Sequence, residues 1–496
     1  MAQPAAQTAC AKRAILCDPT LLRHQGYVDG AWTDGSGAAP FAVTDPSDGA
    51  VVGTVAALSA GDTAVAIAAA RRAFADWRRS LPAARGRTLA AWHSHMLAAR
   101  DDLARLIVLE QGKPLAEAQG EVDYAADFVA WYAAEAERIG VESIASPFAD
   151  AVTELRREPV GVAALLTPWN FPLAMITRKA AAALAAGCTA VVHPSCEAPF
   201  SALALAELAD RAGLPAGTFN VVPGAPGEIG PALCGHPDIR AVSFTGSTEV
   251  GRLVAAQCAA TVKTTILELG GHAPFVVCAD ADLDAAVDAA MPAKFATSGQ
   301  DCLAANRFLV HRTLYDPFVA RFAERMQGLT VGHGFAPGVD IGPLINARAV
   351  AKAEAHVADA VERGARLVTG GARHRAGAQF FQPTLLANVP PEALIWREET
   401  FAPVAAVAAF DDDDTAIRIA NDTVHGLVAY VHARAPERIE RFQRELDYGM
   451  VAVNRTKLTG APVPFGGVKQ SGLGREGGRH GLEAFTVLKY ICRQGA

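Results

Sequence analysis

The spacing of apolar and polar residues divides the chain into segments of different period. Apolar residues recur at helical intervals in the first third, which predicts helices over 62–78, about 85–111 and about 115–138. The first of these opens on Asp62 as a candidate N-cap and places Val65, Ala69, Ala73 and Trp77 along one face. Before them, Tyr27 and Trp32 bracket an Asp29-Gly30 pair whose tolerance of positive φ predicts a hairpin. From Glu158 onward short apolar runs alternate with helical stretches. Strands are expected at 160–166, 190–192, 219–222 and 241–245, with helices at 176–186 and 201–212. That alternation predicts a parallel sheet covered by helices on both faces. A second strand-and-helix series runs from 263 to about 454, and the acidic run 411–414 reads as a solvated helix start. Segments 152–156 and 484–492 alternate like edge strands and are candidates for pairing between subunits.

Composition narrows the function classes. At 496 residues the chain is long enough for roughly three domains, and 51% apolar content supports large cores. The net charge of −7 comes from intermixed signs, without the basic face that nucleic acid binding needs. No apolar run approaches the ~20 residues of a membrane span. The N-terminus lacks the continuous apolar segment of a secretory signal; its first seventeen residues carry Lys12 and Arg13 but no acid, as a short targeting segment would, and read first as a mobile N-terminal arm. Nine scattered cysteines without a C-x-x-C pair point to free thiols in a reducing, cytoplasmic setting. No clustered Cys/His set suggests a metal.

Four local features carry chemistry. Cys302 follows the polar turn Ser298-Gly-Gln-Asp, where backbone amides can lower a thiol pKa and hold an oxyanion. Glu268 stands between two leucines before a Gly270-Gly271 pair, a setting that raises a carboxyl pKa toward that of a general base. Asn170 lies in the Pro-bounded loop Thr167-Pro-Trp-Asn-Phe-Pro172 after the first parallel strand, where open α/β sheets bind ligands. The turn Phe244-Thr-Gly-Ser-Thr-Glu-Val-Gly251 lies between a strand and a helix, where a pyrophosphate can approach. Taken singly, each also has a plain structural reading: a buried thiol, a strand end, a rigid turn and a glycine turn.

In this order and spacing the four features resemble the aldehyde dehydrogenase superfamily. The resemblance continues through Glu399-Thr-Phe401-Ala-Pro403, Asn454 and Pro464–Glu476, and it is similar to the succinate-semialdehyde dehydrogenase subgroup around Arg178-Lys179, 199–209 and 471–477. It implies a Rossmann-like α/β cofactor domain (1–137 and 158–267), an α/β catalytic domain (268–475) and a small β-flap for oligomerisation (138–157 and 476–496), assembled as a homodimer or homotetramer. It also implies Cys302 as nucleophile, Glu268 as the base that activates water, and Asn170 as oxyanion donor. NAD or NADP would be held by Thr167, Trp169, Lys179, His193, Ser195, Cys196, Gly246, Ser247, Glu399 and Phe401. In that scheme Trp169 lies toward the adenosine, Lys179 at the cofactor ribose and Phe401 behind the nicotinamide.

Departures from the family pattern sharpen the expectations. His193-Pro-Ser-Cys196 lacks both the acid that repels a 2′-phosphate and the lysine that holds one, which predicts use of either cofactor. For a small aldehyde substrate, succinic semialdehyde foremost, Arg178 and Thr459 match two arms of the subgroup's carboxylate clamp. Ala296 replaces the third arm, and Arg455 or Lys457 is positioned to supply a cation instead. Another ω-carboxy aldehyde and a neutral aliphatic aldehyde are the competing substrates. Ala304 leaves Cys302 without a disulfide partner in its own loop. Rival readings are a CoA-acylating dehydrogenase, which needs no Glu268, a cysteine hydrolase, and a catalytically silent binding protein with the same fold.

Overall fold

The computed structural model describes residues 15–36 and 38–495, so most of the predicted N-terminal arm lies outside the described residues. Asp29 and Gly30, with φ of 55° and 78°, close the hairpin of Gly26–Val28 and Ala31–Thr33. The first long helix, Ala60–Trp77, is capped one turn earlier than expected. Ser59 is the N-cap, and Asp62 answers it as the third residue of a reciprocal capping box. Its buried face is Thr63, Ala66, Ile67, Ala69, Ala70 and Trp77, so Ala69 and Trp77 are buried as expected, while Val65 is 59% exposed. The helix expected over 85–111 is two, Pro82–Ala98 and Arg100–Gln111, because Ala99 leaves the helical region with φ −97° and ψ 14°. Leu115–Glu135 follows, with its 3-10 extension Ala136–Arg138.

The first sheet has eight strands. From one edge they are Gly472–Leu473, Thr264–Glu268, Ile239–Thr245, Val162–Leu166, Thr189–His193, Phe219–Val221, Gly26–Val28 and Ala31–Thr33. The middle five run parallel. Strand Val162–Leu166 is followed in the chain by its neighbour on one side, and later by its neighbour on the other. Its C-terminal end is therefore a switch point, where a crevice opens beside Thr245. The second sheet has seven strands, in the order Arg366–Thr369, Thr384–Ala387, Val404–Phe410, Ala305–His311, Ala273–Val277, Val428–His432 and Met450–Val453. Only its Arg366–Thr369 edge is antiparallel. Four residues, 269–272, join Glu268 at the end of the first sheet to Ala273 at the start of the second, so the first sheet delivers Glu268 to the joint between them.

A third sheet pairs Thr486–Gln494 with Ala151–Pro159, which in turn pairs with Val141–Ser143. The two edge-like segments thus pair within one chain rather than between subunits. The 3-10 turn Arg479–Phe485 brings the C-terminus back across the first sheet, and Val160 N–H bonds the Phe485 carbonyl where the ladder starts. The acidic run behaves as expected: Asp412 caps helix Asp413–Asn421. No helix among the described residues is long and apolar enough to cross a membrane.

Candidate active site

Three consecutive left-handed residues precede Cys302: Thr297, Ser298 and Gly299, with φ of 52°, 57° and 74°. Only glycine fits at 299, where a Cβ would meet the Ala402 carbonyl at 2.4 Å. The loop is pinned on both sides. Glu117 Oε2 accepts Thr297 N–H at 2.9 Å, and the Gln300 side chain bonds Pro343 O and Ile345 N–H. Cys302 so placed lies in a cavity of about 550 Å³ whose wall includes Asn170, Glu268, Arg178, Glu399 and Phe401. Burial, Asp301 and Glu399 push the Cys302 thiol well above its usual range, against the pull of Arg178.

Asn170 is buried, with its side-chain amide held by donation to the Gln300 carbonyl at 3.0 Å. Lys113 Nζ bonds the Asn170 carbonyl at 2.9 Å and Glu121 at 2.6 Å, while Glu121 accepts Leu173 N–H. This fixed amide is the kind of donor an oxyanion needs. Glu268 is 2% exposed, and neither carboxylate oxygen has a hydrogen-bond partner among the described residues. Burial, reinforced by the nearby Glu476, raises its pKa well above the carboxylate range, although Arg178, Lys179 and Arg475 oppose the shift.

The cofactor candidates fall into two groups. Trp169, Gly246, Ser247, Glu399 and Phe401 line the cavity. Ser247 caps helix Thr248–Ala259, and Gly246 N–H bonds the Glu268 carbonyl at 3.0 Å. Glu399 Oε1 accepts Gly271 N–H at 3.0 Å, and burial raises this acid to about 7. The Trp169 ring meets Phe401 edge-on at 5.6 Å, which sets it with Phe401 in the wall around Cys302. Thr167, Lys179, His193, Ser195 and Cys196 do not line the cavity. Lys179 is buried, with its ammonium on Glu476 and Thr245, so it is not free to reach a ribose as expected. His193 is buried, its Nδ1 lies 2.9 Å from the Val222 carbonyl, and burial lowers its pKa, which favours the neutral ring. Ser195 accepts Glu197 N–H, and Cys196 Sγ donates to Gly224 O at 2.9 Å.

These residues fit a dinucleotide. Thr167 Oγ1 is buried at the switch point with no hydrogen-bond partner among the described residues. A Cβ on Gly270 would meet Glu399 Oε2 at 2.8 Å and Thr248 Oγ1 at 3.3 Å, so backbone lies close to the groups that would take ribose hydroxyls.

Of the substrate candidates, Arg178 and Thr459 line the cavity. Arg178 is also tied to Glu476 Oε2 at 2.6 Å and lies over the Phe465 ring at 4.2 Å. From the loop after Asn454 the cation at the wall is Lys457, whereas Arg455, exposed as Lys457 is, lies outside the lining, which corrects its expected role. Sequence reasoning missed Tyr124, which shares the cavity wall with Thr459 and Arg178. It also assigned no role to Glu476, the shared counter-ion of Arg178 and Lys179. Glu117, Glu121 and Tyr124, spaced by four and three on one helix, were the available signal.

Comparison with known proteins agrees with this geometry. The aldehyde dehydrogenase family model matches residues 32–491. The non-phosphorylating aspartate-semialdehyde dehydrogenase of Halomonas elongata is 54% identical over 477 residues, covering 96% of this chain and 97% of its own. Succinate-semialdehyde dehydrogenase from Burkholderia pseudomallei superposes with a TM-score of 0.96 at 48% identity, over 97% and 99% of the two chains. Betaine aldehyde dehydrogenase from Staphylococcus aureus in complex with NAD+ gives 0.94 at 34%, over 98% and 97%. The chain belongs to the aldehyde dehydrogenase family and oxidises an aldehyde with NAD(P)+ through a cysteine-bound intermediate.

Proposed function

We propose that the substrate is an ω-carboxy aldehyde, with succinic semialdehyde oxidised to succinate as the leading case. One observation carries this reading. A single cavity holds Cys302, Glu268 and Asn170, together with the guanidinium of Arg178, Lys457, Thr459 and Tyr124. The names of the Halomonas and Burkholderia relatives, both semialdehyde dehydrogenases, support it.

In this scheme the Cys302 thiolate adds to the aldehyde carbon, and the Asn170 amide holds the oxyanion. Bound NAD(P)+ supplies the hydride acceptor, and the carbonyl re-forms as a thioester on Cys302. Glu268 then takes a proton from water, the hydroxyl attacks the thioester carbon, and the carboxylic acid leaves with Cys302 restored as thiolate. The desolvated, unpartnered Glu268 carboxylate favours water over a CoA thiol as acceptor. Positions 193–196 present neither an acid to repel a 2′-phosphate nor a cation to hold one, so we assign use of both NAD and NADP. Residues 1–137 and 158–267 would carry the cofactor, 268–475 the Cys302 loop, and the third sheet the contacts of a homodimer or homotetramer.

Steady-state kinetics on succinic semialdehyde and butanal test the substrate. Replacing Lys457 by Ala removes a charge-assisted contact worth about 1.5–3 kcal/mol, so KM for succinic semialdehyde should rise at least tenfold with butanal unaffected. Arg178→Ala should act in the same direction, but it also strips Glu476 of one counter-ion, which makes Lys457→Ala the cleaner probe. Equal effects on both aldehydes would sink the proposal.

A further inference from the structure

The loops that carry Asn170 and Cys302 are tied to one short stretch of chain. Lys113 precedes helix Leu115–Glu135, and Glu117 and Glu121 follow it at intervals of four. Glu117, Gly120, Glu121 and Tyr124 are the helix residues on the cavity wall. Lys113 and Glu121 are buried and pair at 2.6 Å, so neither charge lacks a counter-ion. Their remaining bonds go to backbone around Asn170. Lys113 Nζ donates to the Asn170 carbonyl at 2.9 Å, and Glu121 Oε1 accepts Leu173 N–H at 2.9 Å and Ala174 N–H at 3.3 Å. Helix Ala174–Ala186 has no side-chain cap of its own, so Glu121 caps it from outside. Glu117 acts on the other loop, where its Oε2 accepts Thr297 N–H at 2.9 Å. Thr297 is β-branched and held at φ 52°, a conformation such a residue does not keep unaided. The two loops also meet directly, through the bond from Asn170 Nδ2 to the Gln300 carbonyl at 3.0 Å. That bond uses one of the two amide hydrogens and leaves the other for an oxyanion.

We infer that Lys113, Glu117 and Glu121 are positioning residues, which together set the place of the Asn170 amide relative to the Cys302 thiol. This rests on the roles of Cys302 and Asn170 proposed above and goes beyond them. An oxyanion donor works at a fixed distance from the carbonyl under attack, and a displacement near 1 Å costs about a hundredfold in rate. Donor and nucleophile here both stand on loops. Anchored to one segment, the loops keep their separation, which is held from both sides. Each of the three side chains acts through a backbone group of the loop it holds. The choice of side chain fits the task. Lys113 and Glu121 make charge-assisted bonds to backbone, which are shorter and stronger than those of neutral groups. At Glu117 an acceptor is enough, since its bond to the loop comes from a backbone N–H.

The test is a double-mutant cycle read by the stopped-flow burst of NADH, with the full-length enzyme, saturating NAD+ and either succinic semialdehyde or butanal. Lys113→Met should slow the burst at least tenfold in the otherwise native enzyme. On an Asn170→Ala background, where no donor remains to be misplaced, the same change should slow it less than threefold. The loss should be equal for both aldehydes, with the Kd of NAD+ unchanged. Lys113→Met leaves Glu121 buried without a counter-ion, so Lys113→Met/Glu121→Gln repeats the cycle without that charge. On the other loop, Glu117→Ala should slow the burst at least tenfold, and Glu117→Gln, which keeps an acceptor, should restore it to within threefold of wild type. An equal factor on both backgrounds for both Lys113 variants, or a Glu117→Gln enzyme as slow as Glu117→Ala, overturns the inference. An Asn170→Ala enzyme with an undiminished burst is a different failure, that of Asn170 as donor, and the inference falls with it.

Discussion

Glu268 shows how one side chain is tuned by where its strand ends. Its backbone completes the first sheet, pairing with Thr245 on one side and Gly472 on the other, while its carboxyl enters a site that offers it no hydrogen-bond donor. Burial and Glu476 hold its pKa high, so this carboxylate, the base we propose, loses its charge as pH falls at a point well above the ordinary glutamate value of 4.5. The kcat–pH profile of the wild type should therefore show an acid limb displaced upward from that value. Glu268→Gln should abolish this limb and lower steady-state turnover by about 10²–10⁴. It should still give a stoichiometric burst of NAD(P)H, because thioester formation does not need this base. Loss of the burst together with turnover would move Glu268 into the first half of the reaction.

At the scale of elements, the site depends on how closely the segment joining the two sheets approaches the Cys302 loop. Gly271 is the point of contact: a Cβ there would meet the Cys302 carbonyl oxygen at 2.1 Å. Backbone on both sides leaves nothing flexible to yield, so Gly271→Ala must push the loop away. A displacement near 1 Å costs about a hundredfold in rate when it separates nucleophile from donor. The expected outcome is a fall in kcat of at least that size with NAD+ binding retained, read by quenching of tryptophan fluorescence. An active Gly271→Ala enzyme would show that the loop tolerates the shift.

For the whole molecule, the third sheet holds the C-terminus against the 138–159 segment while leaving apolar side chains uncovered on both of its faces. Val487, Leu488 and Tyr490 are about half exposed on strand Thr486–Gln494, an unusual density for a surface strand. If this sheet carries subunit contacts, Leu488→Asp should lower the mass measured by sedimentation equilibrium while circular dichroism stays unchanged. An unaltered mass would assign the contacts elsewhere. Glu476 joins this C-terminal region to the active site, since it neutralises both Arg178 and Lys179 from a position just before Arg479–Phe485. Lys179, Arg178 and Ser243 hold it ionised at about 2 in spite of its burial.

The amino-acid sequence by itself determined the succession of strands and helices and pointed to Cys302, Glu268 and Asn170 as candidates, which the fold brings to one cavity. Strand and helix periods are local, and the turns that place these three residues are built from glycine and proline close by in the chain. Element ends were less legible where capping decided them, as at Ser59 and Ala99. Tertiary structure alone decided which charges meet. Arg178 and Glu476 are 298 residues apart, and Glu117 reaches Thr297 across 180; no period in the sequence records such pairings. It also decided that Lys457 rather than Arg455 joins the wall, that His193 and Lys179 are buried, and that the edge-like strands pair within one chain. The direction of a side chain from a loop, and the counter-ion of a buried charge, depend on what the rest of the fold packs against them. For that reason the candidates around Cys302 were legible residue by residue, and the charge balance of the cavity was not.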